Sequence, residues 1–329
     1  MIPNVRKIAE KCNTDISAAL HIRYAEPMSA HTTFKTGGKA ALFFEPETEA
    51  ALAALLAILR DAGTDWFILG GGSNIVVSDE GFDIPVISTR RLRHITLERT
   101  ARSTADGLLL RCGAGSSFDD ICRYCERHAL GGLEDFAGLP GTAGGAAYMN
   151  ARCYGVSISD VLHSAHSISG ETGRQTAYIC SPDDWDYKRS PFQQTKEIIT
   201  EVCFRVRELS AQEQQQSREH AAARIADRMS KGHFDWPSAG SVFKNNRAFG
   251  KPTGKIIEEA GLRGISEGGA QVAPWHGNFI VNTGAATAAD IRRLVSRVAR
   301  EVYEQTGFRL ECEIIFCGAG AAQPDSLQP

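Results

Sequence analysis

The chain has 329 residues, of which 43% are hydrophobic and 23% charged, and its formal net charge at pH 7 is −3. The length predicts about two domains. The small negative charge gives no electrostatic reason to expect nucleic acid or an anionic membrane as a partner. No apolar run approaches the ~20 residues of a membrane span, and the opening "MIPNVRKIAEKCNTD" lacks a signal-peptide core. We therefore expect a cytoplasmic protein.

The first helix pattern covers residues 47–62, "ETEAALAALLAILRDA". Its leucines recur at helical spacing on one face, and a glycine closes the segment, as is typical of helix ends. These residues are Leu52, Leu55, Leu56, Leu59 and Gly63. An apolar run at 66–69 follows and ends in "GGGSN". We interpret this run as a strand leading into a glycine loop.

The second helix pattern follows a glycine turn at 113–115 and reads "SFDDICRYCERHAL", with Ser116 or Ser117 as predicted N-cap. Cys122 and Cys125 form a CxxC, which could be half of a zinc site or a redox pair. Both cysteines fall on the apolar stripe of the helix. The nine cysteines include no second CxxC to complete four ligands, and their odd number argues against a closed disulfide framework. The pattern therefore favours core packing without a metal.

The second half of the chain is predicted to contain two strands and two helical stretches. Residues 196–209 alternate as in a strand, and 210–232 are polar helix formers that we interpret as a bridge between domains. Residues 287–307 form an amphipathic helix with a capping-box-like start. The closing "FRLECEIIF", 308–316, alternates like a strand, so Glu313 would lie on its polar face.

Three glycine-rich loops occupy residues 70–74, 113–115 and 138–150. Glycine lets backbone amides approach a phosphate without interference from Cβ, so the clustering favours a shared phosphate-bearing ligand over simple turns. The first loop lacks the last glycine of GxGxxG. "GKPTGKI", 250–256, is one residue short of a P-loop and has Ile256 where Ser or Thr is needed. The loops thus indicate neither a Rossmann nor a Walker A site.

Three segments carry a resemblance to a known family. "TTFKTGGKA" (32–40), "LGGGSNIVVSD" (69–79) and "GLPGTAGGAAYMN" (138–150) resemble the flavin-binding half of UDP-N-acetylenolpyruvoylglucosamine reductases. That half is a domain of the vanillyl-alcohol-oxidase (PCMH) type. The resemblance implies that FAD, tightly but not covalently bound, contacts the following residues: Gly70, Gly71, Gly72, Ser73, Asn74, Pro140, Gly141, Thr142, Gly144, Gly145, Ala146 and Asn150.

Three later segments are similar to the substrate domain of the same family: "PSAGSVFKN" (237–245), "GGAQVAPWHGNFIVN" (268–282) and "LECEIIF" (310–316). The resemblance implies that NADPH reduces the bound FAD. The hydride then passes to the enolpyruvyl ether of UDP-N-acetylglucosamine-enolpyruvate, giving UDP-N-acetylmuramate for peptidoglycan synthesis. We expect a monomer.

The implied fold class is α+β, with a PCMH-type FAD-binding domain followed by a C-terminal α+β substrate domain. We expect an N-terminal segment at 1–27 and the FAD-binding domain, in two subdomains, at 28–209. The substrate-binding domain is expected at 210–318, and residues 319–329 are expected to form a disordered tail.

Ser241 lies in "GSVFKN" and has no histidine nearby in sequence. Reduction of an enol ether conjugated to a carboxylate leaves an enolate-like charge, and the α-carbon must then take a proton. A serine can donate that proton without being a nucleophile. The resemblance assigns this role to Ser241. It also places Glu313 at the family's catalytic glutamate, whereas from the pattern alone a solvated carboxylate would be favoured.

The family's catalytic arginine lies in a Tyr-Arg-x-Ser motif, and this chain instead has Tyr187, Lys188, Arg189 and Ser190. The alignment gives the arginine position to Lys188, which keeps the charge but loses the bidentate fork. In an extended segment Arg189 would face the other way, and it remains the alternative. The short spacing from Lys188 to Ser241 matches the family's compact class, which lacks an inserted tyrosine loop.

Further candidates lie at the substrate end. Asn245, Lys255 and His276 suit a uridine diphosphate by chemistry, and Tyr187 and Arg189 are further substrate-binding candidates.

Two other functions stay open from the sequence. One is a flavin-dependent alcohol oxidase of the same fold with covalent flavin on a histidine such as His31. The other is a nucleotide-sugar-binding protein that has lost catalysis through the change at Lys188.

Overall fold

The two larger β-sheets, of four and six strands, are followed by a C-terminal group of helices and short strands. The computed structural model describes residues 5–16, 18–99 and 108–321, so most of the tail expected at 319–329 lies outside the described residues. The helices are α1 Val5–Asp15, α2 Glu49–Asp61, α3 Phe118–Arg127, α4 Ala143–Tyr148, α5 Ile158–Val161, α6 Ala211–Ser230, α7 Thr253–Glu259 and α8 Ala288–Thr306.

The strands are β1 Leu20–Pro27, β2 Lys39–Pro46, β3 Phe67–Leu69, β4 Ile75–Val77, β5 Val86–Ser88, β6 Ile95–Arg99, β7 Leu108–Gly113, β8 Leu130–Gly131, β9 Arg152–Cys153, β10 Val156–Ser157, β11 Leu162–Ser169, β12 Gln175–Ile179, β13 Glu197–Glu208, β14 Ser266–Glu267, β15 Ala270–Val272, β16 Ile280–Asn282 and β17 Ile315–Cys317.

The first sheet has the order β1-β2-β5-β3, and α2 packs on it. The predicted helix at 47–62 is confirmed: Thr48 is its N-cap, accepting a hydrogen bond from the amide of Ala51. All four predicted leucines are buried. Gly63 follows the helix with φ 59°, a left-handed conformation that favours glycine.

The second sheet has the order β12-β11-β13-β7-β6, with β8 pairing with the end of β13. The strand predicted at 196–209 is confirmed as β13. Residues 198–204 of this strand are buried without interruption, because it lies inside the sheet with structure on both faces. The sheet covers a core of its own that includes Phe118, Phe136 and Phe204.

Helix α3 carries the CxxC pair, and Ser117 rather than Ser116 is its N-cap. Cys125 is buried in the core and Cys122 is half-buried. Burial raises the pKa of both thiols to about 12. The prediction of core packing is confirmed for Cys125, whereas Cys122 lies outside the core cluster with its Sγ 3.8 Å from the carbonyl oxygen of Leu133.

Helix α6 begins with a capping box between Ser210 and Glu213. It does not merely bridge two domains, as the polar sequence suggested, but packs along the first part of the chain. Arg224 Nε donates to Asp135 Oδ1 at 2.9 Å, and Arg228 Nε donates to the carbonyl of Ala137 at 3.1 Å. Its C-terminal end is thereby fixed beside the loop at 138–150.

The C-terminal core is formed around α8, whose predicted stripe is buried. The expected strand at 308–316 is wrong for most of its length, since only Ile315–Cys317 forms a strand. The preceding residues run as an irregular segment with a single bridge, Phe243 to Cys312, because they pack on the helical core without a continuous neighbouring strand. β17 pairs in parallel with β4, which joins this C-terminal segment to the first half of the chain.

A second junction caps the N-terminus of α8. Both carboxylate oxygens of Asp79 accept hydrogen bonds there, from the amides of Ala288 at 2.8 Å and Ala289 at 3.0 Å. A carboxylate at this end also meets the positive pole of the helix dipole. Within the described ranges, no helix combines the length and apolar character needed to cross a bilayer.

Candidate active site

A cleft of about 1400 Å³ lies between the two halves of the chain. This exceeds the roughly 300–1,000 Å³ of pockets for drug-sized ligands, so it has room for a dinucleotide and a second ligand. The predicted site residues that line it are Gly70, Gly71, Gly72, Ser73, Asn74, Pro140, Gly141, Thr142, Gly144, Gly145, Ala146, Lys188, Ser241, His276 and Glu313. The predicted residues outside this lining are Asn150, Tyr187, Arg189, Asn245 and Lys255.

Two of the three glycine loops form one wall of the cleft and contact each other. A Cβ added to Gly71 would lie 2.5 Å from the Cα of Gly141. Gly144 instead packs on the turn at 113–115, where an added Cβ would lie 2.7 Å from the Cβ of Ala114. Arg90 Nη2 donates to the carbonyl of Gly71 at 2.7 Å and holds the first loop in place. Glycine is therefore needed at these positions because the loops lie too close together for a side chain. The wall that the loops form presents backbone atoms to the cleft.

The third glycine turn does not belong to the cleft. A Cβ on Gly113 would meet the carbonyl oxygen of Leu92 at 2.4 Å, and one on Gly115 would meet that of Thr89 at 2.3 Å. These glycines serve the close packing of two backbone segments. The expectation that all three loops share one ligand is wrong for this turn.

Backbone pairing brings Glu313 and Ser241 together at a second wall of the cleft. The amide of Glu313 donates to the carbonyl of Val242 at 2.7 Å, next to Ser241. Asn74 Nδ2 donates to the carbonyl of Glu313 at 3.1 Å. The side chain of Glu313 is buried rather than solvated, because the segment packs between the β4 loop and the serine loop.

Lys188 lies in a tight turn and not in an extended segment, which corrects the geometry assumed from the sequence. Asp186 and Arg189 exchange backbone hydrogen bonds of 3.2 and 3.0 Å across the turn. Lys188 has φ 58°, in the left-handed region. The turn directs Lys188 into the cleft, while Arg189 is exposed.

Lys188 and Glu313 form an ion pair, with Nζ and Oε1 2.6 Å apart. Only 15% of the lysine side chain and 7% of the glutamate side chain are exposed. Burial raises the pKa of Glu313 above its ordinary value, and the ammonium groups of Lys188 and Lys244 oppose that rise. The pair places one cation and one carboxylate at the wall that Ser241 also lines.

The predicted diphosphate ligands are divided between the cleft and its exterior. Asn245 Oδ1 accepts from the amide of Thr253 at 2.9 Å, at the start of α7. Lys255 forms a 3.6 Å ion pair with Glu258 on the surface of the same helix. His276 lines the cleft.

A cluster of histidine and phenylalanine rings beside His276 was not predicted from the sequence. His233 stacks on Phe279 with ring centroids 4.6 Å apart, and both line the cleft. Burial and the charge of Arg228 lower the pKa of His233 to about 4, and its Nε2 is buried with no hydrogen-bond partner among the described residues. The sequence does indicate this cluster: "KGHFDW", 231–236, places several ring side chains directly after a polar helix.

His31, the candidate for a covalent flavin link, does not line the cleft. It is buried, stacks on Phe43 at 4.3 Å, and its Nε2 lies 2.7 Å from Glu26 Oε1. Its contacts are those of a packed core histidine.

Comparison with known proteins bears on this arrangement. The sequence matches the family profile for the UDP-N-acetylenolpyruvoylglucosamine reductase C-terminal domain over residues 232–317 and that for an FAD binding domain over 40–177. A UDP-N-acetylenolpyruvoylglucosamine reductase from Treponema denticola is 43% identical, over 93% of this chain and 96% of the relative. The chain belongs to the UDP-N-acetylenolpyruvoylglucosamine reductase family.

Other members of the family are similar to this chain over most of its length. The reductase from Borreliella burgdorferi is 38% identical over 88% of this chain and 93% of the relative. The crystal structure of the Thermus caldophilus reductase superposes with a TM-score of 0.71 at 28% identity, covering 91% of this chain and 99% of that one. The resemblance inferred from the loop motifs and the expected fold class are confirmed. An FAD site fits the cleft, since its glycine wall presents backbone where a dinucleotide would lie.

Proposed function

We propose that this chain is an FAD-dependent UDP-N-acetylenolpyruvoylglucosamine reductase that uses NADPH and produces UDP-N-acetylmuramate for peptidoglycan synthesis. The observation that carries the proposal is the buried ion pair between Lys188 and Glu313, 2.6 Å apart, in the cleft that the glycine loops also line. The pair supplies a desolvated cation at the cleft, which is the charge that a developing enolate needs.

The loops at 70–74 and 140–146 would hold FAD through their backbone. When bound, FAD would supply the two-electron chemistry by which hydride passes from NADPH to the β-carbon of the enolpyruvyl group. The chain must then stabilise the charge that develops on the carboxylate side and provide one proton to the α-carbon.

Lys188 is the proposed cation for the substrate carboxylate and the developing enolate. It lies in a site that is largely closed to water, where a fixed charge stabilises a transition state far better than it does in solvent. Glu313 orients the ammonium before the substrate arrives. Because Lys188 carries a point charge rather than a planar fork, its position has to be set by its surroundings.

Ser241 is the proposed general acid. Its hydroxyl proton moves to the α-carbon as the enolate collapses, and the serine recovers a proton from solvent. Hydroxyl acids of this kind need correct placement rather than a histidine partner. Ser241 lines the cleft, and Glu313 is fixed beside it by the hydrogen bond to Val242.

The remaining assignments concern binding and location. His276 is the proposed contact for the diphosphate among the residues at the cleft. Tyr187, Arg189, Asn245 and Lys255 would require a ligand that extends beyond the lining. We further propose a monomeric, cytoplasmic enzyme with domain boundaries near residues 28, 209 and 318.

Anaerobic mixing in two stages tests the function. NADPH should bleach the flavin absorbance of the purified protein, and addition of UDP-N-acetylglucosamine-enolpyruvate should restore it with one equivalent of UDP-N-acetylmuramate formed. UDP-N-acetylglucosamine, which lacks the enolpyruvyl group, is the matched control and should restore nothing. A protein that binds the substrate but leaves the flavin reduced would contradict the proposal.

A further inference from the structure

The turn that carries Lys188 is anchored by two side-chain amides. Asn150 Nδ2 donates to the carbonyl of Asp186 at 2.9 Å, at the beginning of the turn. Gln193 Nε2 donates to the carbonyl of Lys188 itself at 3.2 Å. A backbone segment with left-handed geometry at a lysine is costly for the chain, so these hydrogen bonds help to hold it in that state.

Asn150 is fixed in one orientation. It is only 3% exposed, and its Oδ1 accepts from the amide of Ser159 at 3.1 Å, which leaves Nδ2 facing Asp186. Its own backbone has φ 41°, a conformation that Asn and Asp tolerate better than most residues. Both halves of the amide are thus committed to the protein, and neither reaches the cleft.

The stretch just before Asn150 touches the cofactor side of the cleft. Tyr148 and Met149 both line it. Ser190 Oγ and Gln193 Nε2 donate to the carbonyl of Tyr148 at 2.6 and 2.9 Å. The end of the glycine-loop segment and the Lys188 turn are therefore one hydrogen-bonded unit.

We infer that Asn150 is a positioning residue that holds Lys188 against Glu313, and not the cofactor contact that its motif implied. A lysine has a flexible four-carbon stem and no planar fork, so the place of its ammonium depends on where its backbone is held. Asn150 sets that backbone through Asp186. The inference rests on the proposed function, because it matters only if Lys188 meets the substrate.

Asn150→Asp is the sharpest test. Aspartate keeps the volume, tolerates the left-handed backbone and still accepts from Ser159, but it turns a carboxylate oxygen toward the Asp186 carbonyl. The substrate-dependent restoration of flavin absorbance should slow by about tenfold to a hundredfold, as expected for one lost buried hydrogen bond. Reduction by NADPH should change by less than about twofold, since it makes no use of Lys188.

Two further readouts separate positioning from general support of the fold. In a Lys188→Ala background, Asn150→Asp should slow the reaction by less than about twofold more, because residues that act through one another are not additive. The oxidised protein should also lose affinity for the enolpyruvyl substrate while keeping its affinity for UDP-N-acetylglucosamine, which has no carboxylate for Lys188.

Loss of FAD, equal slowing of both stages, or full additivity with Lys188→Ala would overturn the inference. If Asn150→Asp does not fold, Gln193→Leu removes the other amide from a half-buried position. The two reaction stages are then measured for that variant in the same way. Wild-type behaviour of Gln193→Leu would count against the inference. A wild-type chain without turnover would defeat the proposed function instead. The affinity comparison would still report whether Lys188 is placed to meet a carboxylate.

Discussion

The two walls of the cleft are built in different ways. The wall at residues 70–74 and 140–146 consists of glycine-rich backbone, and its shape depends on two loops that approach until a single Cβ would not fit. The second wall consists of the side chains of Lys188, Ser241 and Glu313, which three separate segments supply. The first wall suits a ligand recognised along its length, and the second suits chemistry at one point.

This contrast predicts different failures. A change in the backbone wall should remove the cofactor and with it every activity, whereas a change in the side-chain wall should leave the cofactor in place and affect only the step with substrate.

The largest effect is expected for Gly71→Val, which should abolish FAD binding. The first added carbon alone would lie 2.5 Å from the Cα of Gly141, so the two loops would have to separate. The measurement is flavin content per chain after purification. Stoichiometric FAD in Gly71→Val would contradict the claim that the backbone wall holds the cofactor.

Ser241→Ala should slow substrate-dependent restoration of flavin absorbance by roughly 10²–10⁴-fold, the usual range for removal of a general acid. Reduction by NADPH should be nearly unchanged, because no proton is delivered to carbon in that stage. Stopped-flow absorbance measures the two stages separately. Ser238→Ala, in the same loop and also facing the cleft, is the matched control. If both stages slow equally, the serine supports the fold.

A smaller effect concerns stability toward acid. The pKa of His233 is lowered from 6.5 to about 4, so its neutral form is favoured in the folded state. The stabilisation that results from keeping His233 neutral is present above pH 6.5 and is lost as the pH falls through about 4. The free energy of unfolding should drop by on the order of 2 kcal/mol across that window. His233→Phe, which keeps the stacking on Phe279 and cannot titrate, should flatten this part of the curve in denaturant titrations.

The smallest effect is expected for Lys188→Arg, which should keep activity within about threefold of wild type or raise it. The guanidinium restores two parallel donors toward a carboxylate. Steady-state kcat/KM for the enolpyruvyl substrate measures this. A loss as severe as that of Lys188→Ala would mean that the turn accommodates only a lysine.

The sequence predicted the backbone wall well, because its information is local. "LGGGSN" and "GLPGTAGG" lie within single loops, and Leu52, Leu55 and Gly63 mark a helix by spacing alone. The family resemblance extended this to Ser241 and Glu313, both of which line the cleft.

The side-chain wall was less predictable, since its geometry depends on contacts distant in sequence. The turn at Lys188 depends on an amide from Asn150, and the burial of Glu313 depends on the pairing of β17 with β4. Alternation at 308–316 suggested a strand, yet most of the segment has no strand partner beside it. The resemblance assigned Asn150 to the cofactor because the residue ends the glycine-loop motif at 138–150. Its amide is instead turned toward Asp186.

The most direct test of the account compares Lys188→Ala with Arg189→Ala. Both remove one cation from the same turn, and the rate at which the enolpyruvyl substrate restores flavin absorbance is measured for each after reduction by NADPH. Lys188 reaches Glu313 in the cleft and Arg189 is exposed, so Lys188→Ala should lose most of the rate and Arg189→Ala should lose little. An Arg189→Ala variant that is slower than Lys188→Ala would contradict the assignment.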